Sequence, residues 1–241
     1  MLTIANLEQF TKQAQTNVEN VVREYCQHAF LSFLYQQPGS EKLLFKGGTA
    51  LRVVFHSPRY SEDLDFTGLN IAHKEIEKLF TNTLAQVERT GMEVDVIEGK
   101  PTTGGYLGTA VFEAYVKKTR IQIEVSLRKG KRPEGVRRLI DNEYIPPYSL
   151  IILSEEQLVQ EKLDALSARH KPRDFYDYYF LLSGNYSTAK RKENLELALK
   201  LLRESEINFQ TELKKFLPAS HAAHMRDFNS ILERQILTFL E

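Results

Sequence analysis

The feature that most constrains the fold of this chain is a pair of adjacent glycines, Gly47 and Gly48, between two apolar segments. The run LLF at 43–45 has the composition of a short strand, and the run TALRVVFH at 49–56 has that of a helix. Glycine lets the backbone approach a ligand closely, and the first turn of a helix has N–H groups without helical partners. The segment therefore predicts a strand, a turn and a helix whose N-terminus can bind an anion, although a glycine pair by itself also fits an ordinary turn.

A second pattern, DLDF at 63–66, alternates acidic and apolar residues. Residues two apart on a strand point to the same face, so Asp63 and Asp65 project together while the two apolar residues turn to the core. Neighbouring carboxylates repel each other and raise one pKa, and a divalent cation relieves this repulsion. Mg²⁺ binds a few carboxylates together with phosphate oxygens and water. The pair alone also fits a solvated strand face.

A third acid, Glu124, lies in the predicted strand RIQIEVSL at 120–127. It points away from the apolar face, because the residues that share its side are Gln122 and Ser126. If this strand is a neighbour of the strand at 63–66, three carboxylates converge. Three acids can hold a pair of Mg²⁺ ions, the arrangement used for in-line displacement at phosphorus.

The glycine turn and the acids together favour a nucleotide site. A triphosphate across Gly47–Thr49 would be bound by backbone N–H groups and by the Thr49 hydroxyl, beside metal held by the two aspartates. Arg59 and Ser61 precede the acids in the loop SPRYSE at 57–62 and are placed to bind the same phosphates. In this order and with this spacing, we interpret the patterns as one site.

The rest of the chain predicts an α/β (α+β) N-terminal half and a helical C-terminal half. We expect helices over 5–35 with a break midway, over 73–90, over 154–170 with a capping box from Ser154 to Gln157, and near 188–205 and 226–240, and strands over 92–98 and 108–117. The aromatic residues at 175–180 are interpreted as core. Residues 1–140 are predicted to form an α/β domain with N-terminal helices, and residues 141–241 a helical domain.

Composition limits the partners and the compartment. Lys+Arg and Asp+Glu are equal at 32 each, so the net charge of zero gives no argument for a nucleic-acid or membrane partner. A single cysteine, Cys26, excludes an internal disulfide and a cysteine-rich metal site. The sequence has no signal-peptide pattern and no apolar run of about 20 residues, which indicates a cytoplasmic protein without a membrane partner. The basic stretch LRKGKRPEGVRR at 127–138 fits either an RNA contact or a solvated loop.

The pattern KGGTALR…RYSEDLDF resembles the signature of the nucleotidyltransferase fold and, within it, the AbiEii/AbiGii toxin family, which includes the MenT toxins. That family also has a helical C-terminal half with a lysine motif and an Arg-Asp motif, to which EKLDALSARHKPRDFYDYYFL at 161–181 is similar. The resemblance covers residues 43–183. It implies a mixed sheet with flanking helices and a helical C-terminal domain that completes the active-site cleft.

The resemblance implies a role for each residue that matches the family pattern. Gly47, Gly48 and Thr49 would hold the triphosphate, and Arg59 and Ser61 match the family's residues ahead of the acids. Asp63 and Asp65 would ligate Mg²⁺. Lys162 would contact nucleotide phosphate, and Asp174 matches the acid counted as catalytic. The complete prediction adds Glu124 as a catalytic residue and metal ligand, and Arg169 as a nucleotide contact. Mn²⁺ is expected to be able to replace Mg²⁺.

Helical spacing gives a partly independent view of the C-terminal motif. Lys162 and Arg169 share a face, since seven residues complete nearly two helical turns, and two cations there can reach a phosphate. Asp174 and Asp177 would be neighbours at i,i+3, and Arg173 and Asp177 at i,i+4. The alternative is a surface set of Arg–Asp ion pairs, which contributes little free energy.

These observations predict a metal-dependent nucleotidyltransferase that uses an NTP such as ATP. An acceptor hydroxyl would attack the α-phosphate, with Glu124 or Asp174 assisting its deprotonation, and Lys162 and Arg169 would offset charge on the leaving pyrophosphate. The resemblance implies the toxin of a type IV-like toxin–antitoxin or phage-defence pair, with tRNA or a protein as acceptor and a cognate antitoxin. The alternatives are a non-catalytic nucleotide-binding or protein-interaction module and a small-molecule nucleotidyltransferase of the aminoglycoside type.

Overall fold

The computed structural model describes residues 3–114, 117–128 and 134–241 of the 241-residue chain. These residues divide into two units. The first contains the described residues up to His56 together with Tyr60–Leu153, and the second contains Ser57–Arg59 and Ser154–Glu241. The segment 57–59 therefore belongs to the second unit, although its neighbours in sequence belong to the first.

A mixed sheet forms the centre of the first unit. Within the described residues its seven strands are β1 (Leu43–Lys46), β2 (Leu64–Leu69), β3 (Glu93–Thr102), β4 (Gly105–Ala114), β5 (Lys117–Arg128), β6 (Gly135–Ile140) and β7 (Tyr148–Leu153), in the order β3-β4-β5-β2-β1-β7-β6. The pairs β2–β5 and β1–β7 are parallel, and the other neighbours are antiparallel. The strands that carry the predicted motifs, β1, β2 and β5, are therefore adjacent in the middle of the sheet.

Aromatic side chains join the sheet to two helices, α2 (Val18–Leu34) and α4 (His73–Glu88). Phe45 on β1 and Phe66 on β2 are register partners, and their ring centroids lie 5.5 Å apart. Phe80 of α4 packs against Phe66 at 6.3 Å and against Phe30 of α2 at 5.7 Å. Because Phe30, Phe45 and Phe66 are fully buried, these contacts form one hydrophobic core under the motif strands.

The N-terminal helical segment has the predicted break. Helix α1 (Ile4–Gln13) begins after Thr3, which forms a capping box with Asn6, and α2 begins after Asn17, which accepts a hydrogen bond from the Asn20 N–H at 2.8 Å. Between the two helices, Gln15 has a φ of 50°, in the left-handed region that ends a helix. The break therefore separates two individually capped helices.

Two strands near residue 140 were not predicted, and they extend the first unit. Strand β6 contains GVRRLI and β7 contains YSLIIL, whereas the sequence predicted that the helical half starts at residue 141. A short apolar run such as that of β7 has no alternation, so periodicity does not distinguish a buried strand from a helix. Strand β7 is buried because it pairs in parallel with β1, and Ile152 of β7 is the partner of Phe45. The helical part begins only at Glu155.

The second unit is helical. Its α-helices are α5 (Glu155–Arg169), α6 (Pro172–Ser183), α7 (Lys192–Glu204), α8 (Phe209–Leu213), α9 (Ala219–Ala222) and α10 (Phe228–Leu240). Phe175 contacts Phe209, and Tyr176 contacts Phe228. The interpretation of the aromatic run as core is confirmed for Phe175, Tyr176 and Tyr178, which are buried, whereas Tyr179 and Phe180 are half-buried. Among the described residues, no helix combines the length and apolarity needed to cross a bilayer.

The start of α5 differs in detail from the prediction. Ser154 is the N-cap residue, but its side chain makes no capping hydrogen bond in the described structure, so the capping box with Gln157 is wrong. Glu155 and Glu156 occupy the first turn instead, where their negative charge favours the helix dipole.

Candidate active site

The glycine pair forms the junction between β1 and α3 (Gly47–Phe55). The strand ends at Lys46 and the helix begins at Gly47, whose φ of 81° lies in the left-handed region that glycine adopts without strain. The first N–H groups of α3 point out of the end of the helix, where they and the helix dipole favour an anion. The predicted strand, turn and helix are therefore confirmed.

Asp65 lies directly beside this turn. It is the register partner of Lys46 on β1 and of Glu124 on β5. A Cβ atom added to Gly47 would lie 2.8 Å from the Cβ and Cγ atoms of Asp65, so the aspartate side chain packs against the bare Cα of the glycine. The two acid-bearing strands are neighbours, which was the condition for the carboxylates to converge. Asp65 lies at the N-terminal end of α3.

Asp63 and Ser61 lie in the irregular segment that leads into β2. Both are half-buried, and the strand itself begins one residue after Asp63. The hydroxyl of Thr49 is fully buried and donates a hydrogen bond to the backbone carbonyl of Asp63. This hydroxyl, which the sequence predicted as a phosphate donor, thus ties the start of α3 to the backbone that carries Asp63.

The acidic donor set suits a hard cation. Asp63, Asp65 and Glu124 offer carboxylate oxygens, the ligands that Mg²⁺ and Mn²⁺ prefer. Among the described residues, no three acidic, histidine or cysteine side chains form a ready-made metal cage, so the predicted three-acid cluster is not preformed. Mg²⁺ is commonly held by one or two carboxylates and completes its coordination with phosphate oxygens and water. Asp63 and Asp65 therefore fit a metal ion that is bound together with a nucleotide.

An ion pair between a half-buried arginine and a buried glutamate connects α3 to α2. The Nε atom of Arg52 on α3 lies 2.6 Å from Oε1 of Glu24 on α2, and its guanidinium lies 4.0 Å from the centroid of the Tyr60 ring. The hydroxyl of Tyr144 donates to the other oxygen of Glu24 at 2.8 Å. Sequence reasoning missed this cluster, because its members are far apart in the chain and show no local pattern.

In the second unit, Asp177 brings together two predicted phosphate-binding residues. Arg59 donates to both oxygens of this carboxylate, from Nε at 2.8 Å and from a terminal nitrogen at 2.9 Å, and Lys162 donates at 2.8 Å. Burial raises the pKa of Asp177, but the charges and hydrogen bonds of Arg59 and Lys162 outweigh it and lower the pKa from 3.8 to about 2. The carboxylate thus stays ionised and holds both cations.

Asp174, the predicted catalytic acid, has a different partner. Its Oδ1 lies 2.6 Å from a guanidinium nitrogen of Arg169, and its Oδ2 accepts from the Lys171 N–H at 3.2 Å. The alternative of a surface ion-pair set is wrong, because the relative exposure of Asp174 is 2% and that of Asp177 is 1%. The predicted residues Arg59, Lys162, Arg169 and Asp174 therefore form two buried-acid clusters within the second unit.

The basic stretch at 127–138 is described only at its ends. Leu127 and Arg128 complete β5, and residues 135–138 belong to β6. Residues 129–133, the centre of the predicted basic segment, lie outside the described residues. The prediction of an RNA contact or a solvated loop therefore stays a prediction.

The glycine turn at a strand–helix junction, with acids on the adjacent strands, defines a protein of the nucleotidyltransferase-fold class. Two solved structures share this fold: JHP933 from Helicobacter pylori has 17% identity and a TM-score of 0.56, with 92% of this chain and 95% of that chain covered. An H. pylori protein provisionally described as a nucleotidyltransferase has 18% identity and a TM-score of 0.55, with 92% and 97% covered. No curated protein matches the sequence significantly.

The family is identified by the sequence itself. The sequence model of the family described as "Nucleotidyl transferase AbiEii toxin, Type IV TA system" matches residues 29–240. This range contains every predicted site residue from Gly47 to Asp174. The chain therefore belongs to the nucleotidyl transferase AbiEii toxin family.

Proposed function

We propose that this protein transfers a nucleoside monophosphate from an NTP to an acceptor hydroxyl and requires Mg²⁺ or Mn²⁺. The acceptor oxygen forms a bond to the α-phosphorus, the bond from that phosphorus to the bridging oxygen breaks, and pyrophosphate leaves. The observation that carries the proposal is the packing of Asp65 against Gly47, with Glu124 in register beside it. An anion-binding helix terminus and metal-binding carboxylates then meet at one place.

Residues of the first unit have distinct roles in this proposal. The N–H groups at Gly47 and Gly48 bind phosphate oxygens, and Asp63 and Asp65 hold the metal ion. The bound ion would supply charge neutralisation for the phosphates. Glu124 is exposed and adjacent to Asp65, which suits it to accept the proton of the acceptor hydroxyl. Catalysis then comes mainly from positioning and electrostatics.

The roles predicted for the second unit stay predictions. Arg59, Lys162 and Arg169 are predicted to contact phosphate, and Asp174 to act as a catalytic acid or base. Each of these side chains has an ion-pair partner within the second unit. Substitution at these positions therefore tests structure and activity together, and a stability measurement must accompany every activity measurement.

The family supports an assignment as the toxin of a type IV system, with a cognate antitoxin as partner. We propose tRNA as the acceptor class, because its terminal hydroxyls are accessible to an enzyme that transfers nucleotides. Transfer of the nucleotide to a protein hydroxyl, or to a small hydroxylated molecule such as an aminoglycoside, would replace tRNA as the proposed acceptor.

The test is incubation of the purified protein with each α-labelled NTP, Mg²⁺ or Mn²⁺, and total tRNA, cellular protein or an aminoglycoside. Wild type is compared with Asp65→Asn and with Asp95→Asn. The control is matched, because Glu93 and Asp95 are also acids two residues apart on a strand of the same sheet. We expect label on tRNA from wild type and from Asp95→Asn, and a loss of at least about a hundredfold in Asp65→Asn. Label transfer without added metal, after treatment with a chelator, would contradict the metal requirement.

A further inference from the structure

The loop that leads to Asp63 is held by a side chain from a different element. Gln27 lies on α2, and its relative exposure is 2%. Its Nε2 donates to the backbone carbonyl of Ser61 at 3.0 Å and to that of Glu62 at 3.2 Å. Thr49 on α3 donates to the next carbonyl, that of Asp63. Two helices therefore hold three consecutive carbonyls of one irregular segment.

These bonds are needed because Asp63 lies outside the strand. The ladder of β2 begins at Leu64, and its register fixes Asp65 against Lys46 and Glu124. Asp63 precedes the first residue of β2, so the conformation of the loop backbone helps to set the direction of its side chain. The Gln27 amide restrains this half-buried segment, since breaking its bonds to the carbonyls would leave a buried donor without a partner, which is costly.

Neighbouring residues of α2 support the same arrangement. Arg23, one turn before Gln27, has a guanidinium nitrogen 3.7 Å from the carboxylate of Glu62. Glu24, three residues before Gln27, binds Arg52 on α3. Residues three and four apart lie on the same face of a helix, so one face of α2 holds both α3 and the loop before Asp63.

We infer that Gln27 is a positioning residue for the metal-binding acid Asp63. It acts through the carbonyls of Ser61 and Glu62 and touches no reacting atom. The inference rests on the proposed function for the role of Asp63, whereas the restraint on the loop is independent of it. Gln27 precedes the range that the family model matches, which begins at residue 29.

The test compares Gln27→Met with Gln37→Met. Methionine keeps the volume of glutamine and removes its donor. Gln37 is a matched control, because its Nε2 also donates to a carbonyl. It bonds the Leu79 carbonyl at 3.1 Å and the Thr83 hydroxyl at 2.6 Å, and neither residue is in the proposed site. The measurements are kcat and KM for the NTP, Mn²⁺ affinity by electron paramagnetic resonance with α,β-methylene-ATP, and hydrogen exchange of peptides covering residues 60–66.

Gln27→Met is expected to lower kcat by about tenfold to a hundredfold with little change in KM, to weaken Mn²⁺ binding, and to speed exchange at 60–66. Gln37→Met should leave all of these at wild-type values. Equal behaviour of the two variants would overturn the inference. If Gln27→Met does not fold, Gln27→Asn supplies the test, because it keeps the amide group but shortens the side chain by one methylene and moves the donor away from the two carbonyls. If wild type neither transfers label nor binds Mn²⁺, the proposed function fails, while the exchange data still decide whether Gln27 restrains the loop.

Discussion

The Cα atom of Gly47 packs against the side chain of Asp65, so closely that a Cβ atom on the glycine would lie 2.8 Å from two carbon atoms of the aspartate. The same glycine has a φ of 81°, which L-residues rarely adopt. Two separate physical requirements therefore select glycine at position 47: the turn into α3 and the space that Asp65 occupies.

Gly47→Ala is expected to destabilise the protein and to abolish activity, and Gly39→Ala allows the two causes to be separated. Gly39 has a φ of 93°, but a Cβ atom there would meet nothing within 4 Å. Its alanine variant should lose about 1 kcal/mol of unfolding free energy from backbone strain alone. Gly47→Ala should lose an additional 1 kcal/mol or more, roughly the cost of overpacking. Chemical denaturation measures both, and equal losses would mean that Asp65 moves away freely.

Glu124→Gln is expected to raise the stability of the ligand-free protein and to reduce the stabilisation that a bound metal and nucleotide provide. Like charges directly opposite on paired strands are unfavourable, so without metal the variant should gain about 0.2–1 kcal/mol. Its stabilisation by Mg²⁺ with α,β-methylene-ATP should be smaller than that of wild type, because one carboxylate beside Asp65 is lost. Thermal denaturation with and without this ligand pair is the measurement.

The control for this prediction is Glu93→Gln. Glu93 is the register partner of Glu113, which also has a lysine neighbour, Lys118, at 3.2 Å. This variant relieves a like-charge pair in the same sheet, away from the candidate site. Its response to the metal and the nucleotide analogue should equal that of wild type, and a reduced response would assign the Glu124 effect to general sheet electrostatics.

Asp177→Asn is expected to destabilise the protein by about 3–5 kcal/mol, because it removes the buried carboxylate that Arg59 and Lys162 both bind. Asp174→Asn should cost much less, about 1 kcal/mol, since the side chain of its partner Arg169 is 46% exposed and water can replace the ion pair. Urea denaturation of the two variants provides the comparison. Similar losses of unfolding free energy in the two variants would show that the cost depends on the burial of the aspartate and not on the burial of its cationic partner.

The same carboxylate predicts a response to acid. The pKa of Asp177 is lowered in the folded state from 3.8 to about 2, so the unfolded chain takes up the proton first as the pH falls. Its contribution to stability is therefore present above pH 4 and is lost between about pH 4 and pH 2. Asp177→Asn should remove this part of the acid dependence.

The sequence was sufficient for the parts of the site that are local in the chain. The strand, the glycine turn and α3 follow one another, and the alternation at 63–66 predicts which side Asp65 faces. The pairing of β2 with β5 was predicted only as a condition, because strand adjacency depends on the whole sheet. The family resemblance supplied the order of the motifs and was confirmed by the family match.

Long-range contacts of buried polar groups could not be predicted. Gln27 binds carbonyls 34 and 35 residues away, and Asp177 binds Arg59 from a distance of 118 residues in the sequence. A glutamine on a helix and an arginine in a loop show no pattern that distinguishes such partners from solvent. The alternative of surface ion pairs at 173–177 was wrong for the same reason, since the partners of Asp177 come from other elements.

His28 predicts a second pH response, in a different range. It is buried on α2, and its Nδ1 lies 2.9 Å from the hydroxyl of Tyr148. The pKa of His28 is lowered from 6.5 to about 4. Burial is the largest cause; the charge of Arg52 also lowers the pKa, and the charge of Glu24 raises it.

The unfolded chain therefore binds a proton at His28 below about pH 6.5, while the folded chain does not until about pH 4. Unfolding free energy should fall with decreasing pH across this interval, by up to about 1.4 kcal/mol per pH unit from this residue. His28→Gln cannot take up the proton and should have a flatter profile than wild type. Urea denaturation at pH values from 4 to 7 measures the difference between the profiles, and parallel profiles for wild type and His28→Gln would show that His28 is already protonated in the folded protein.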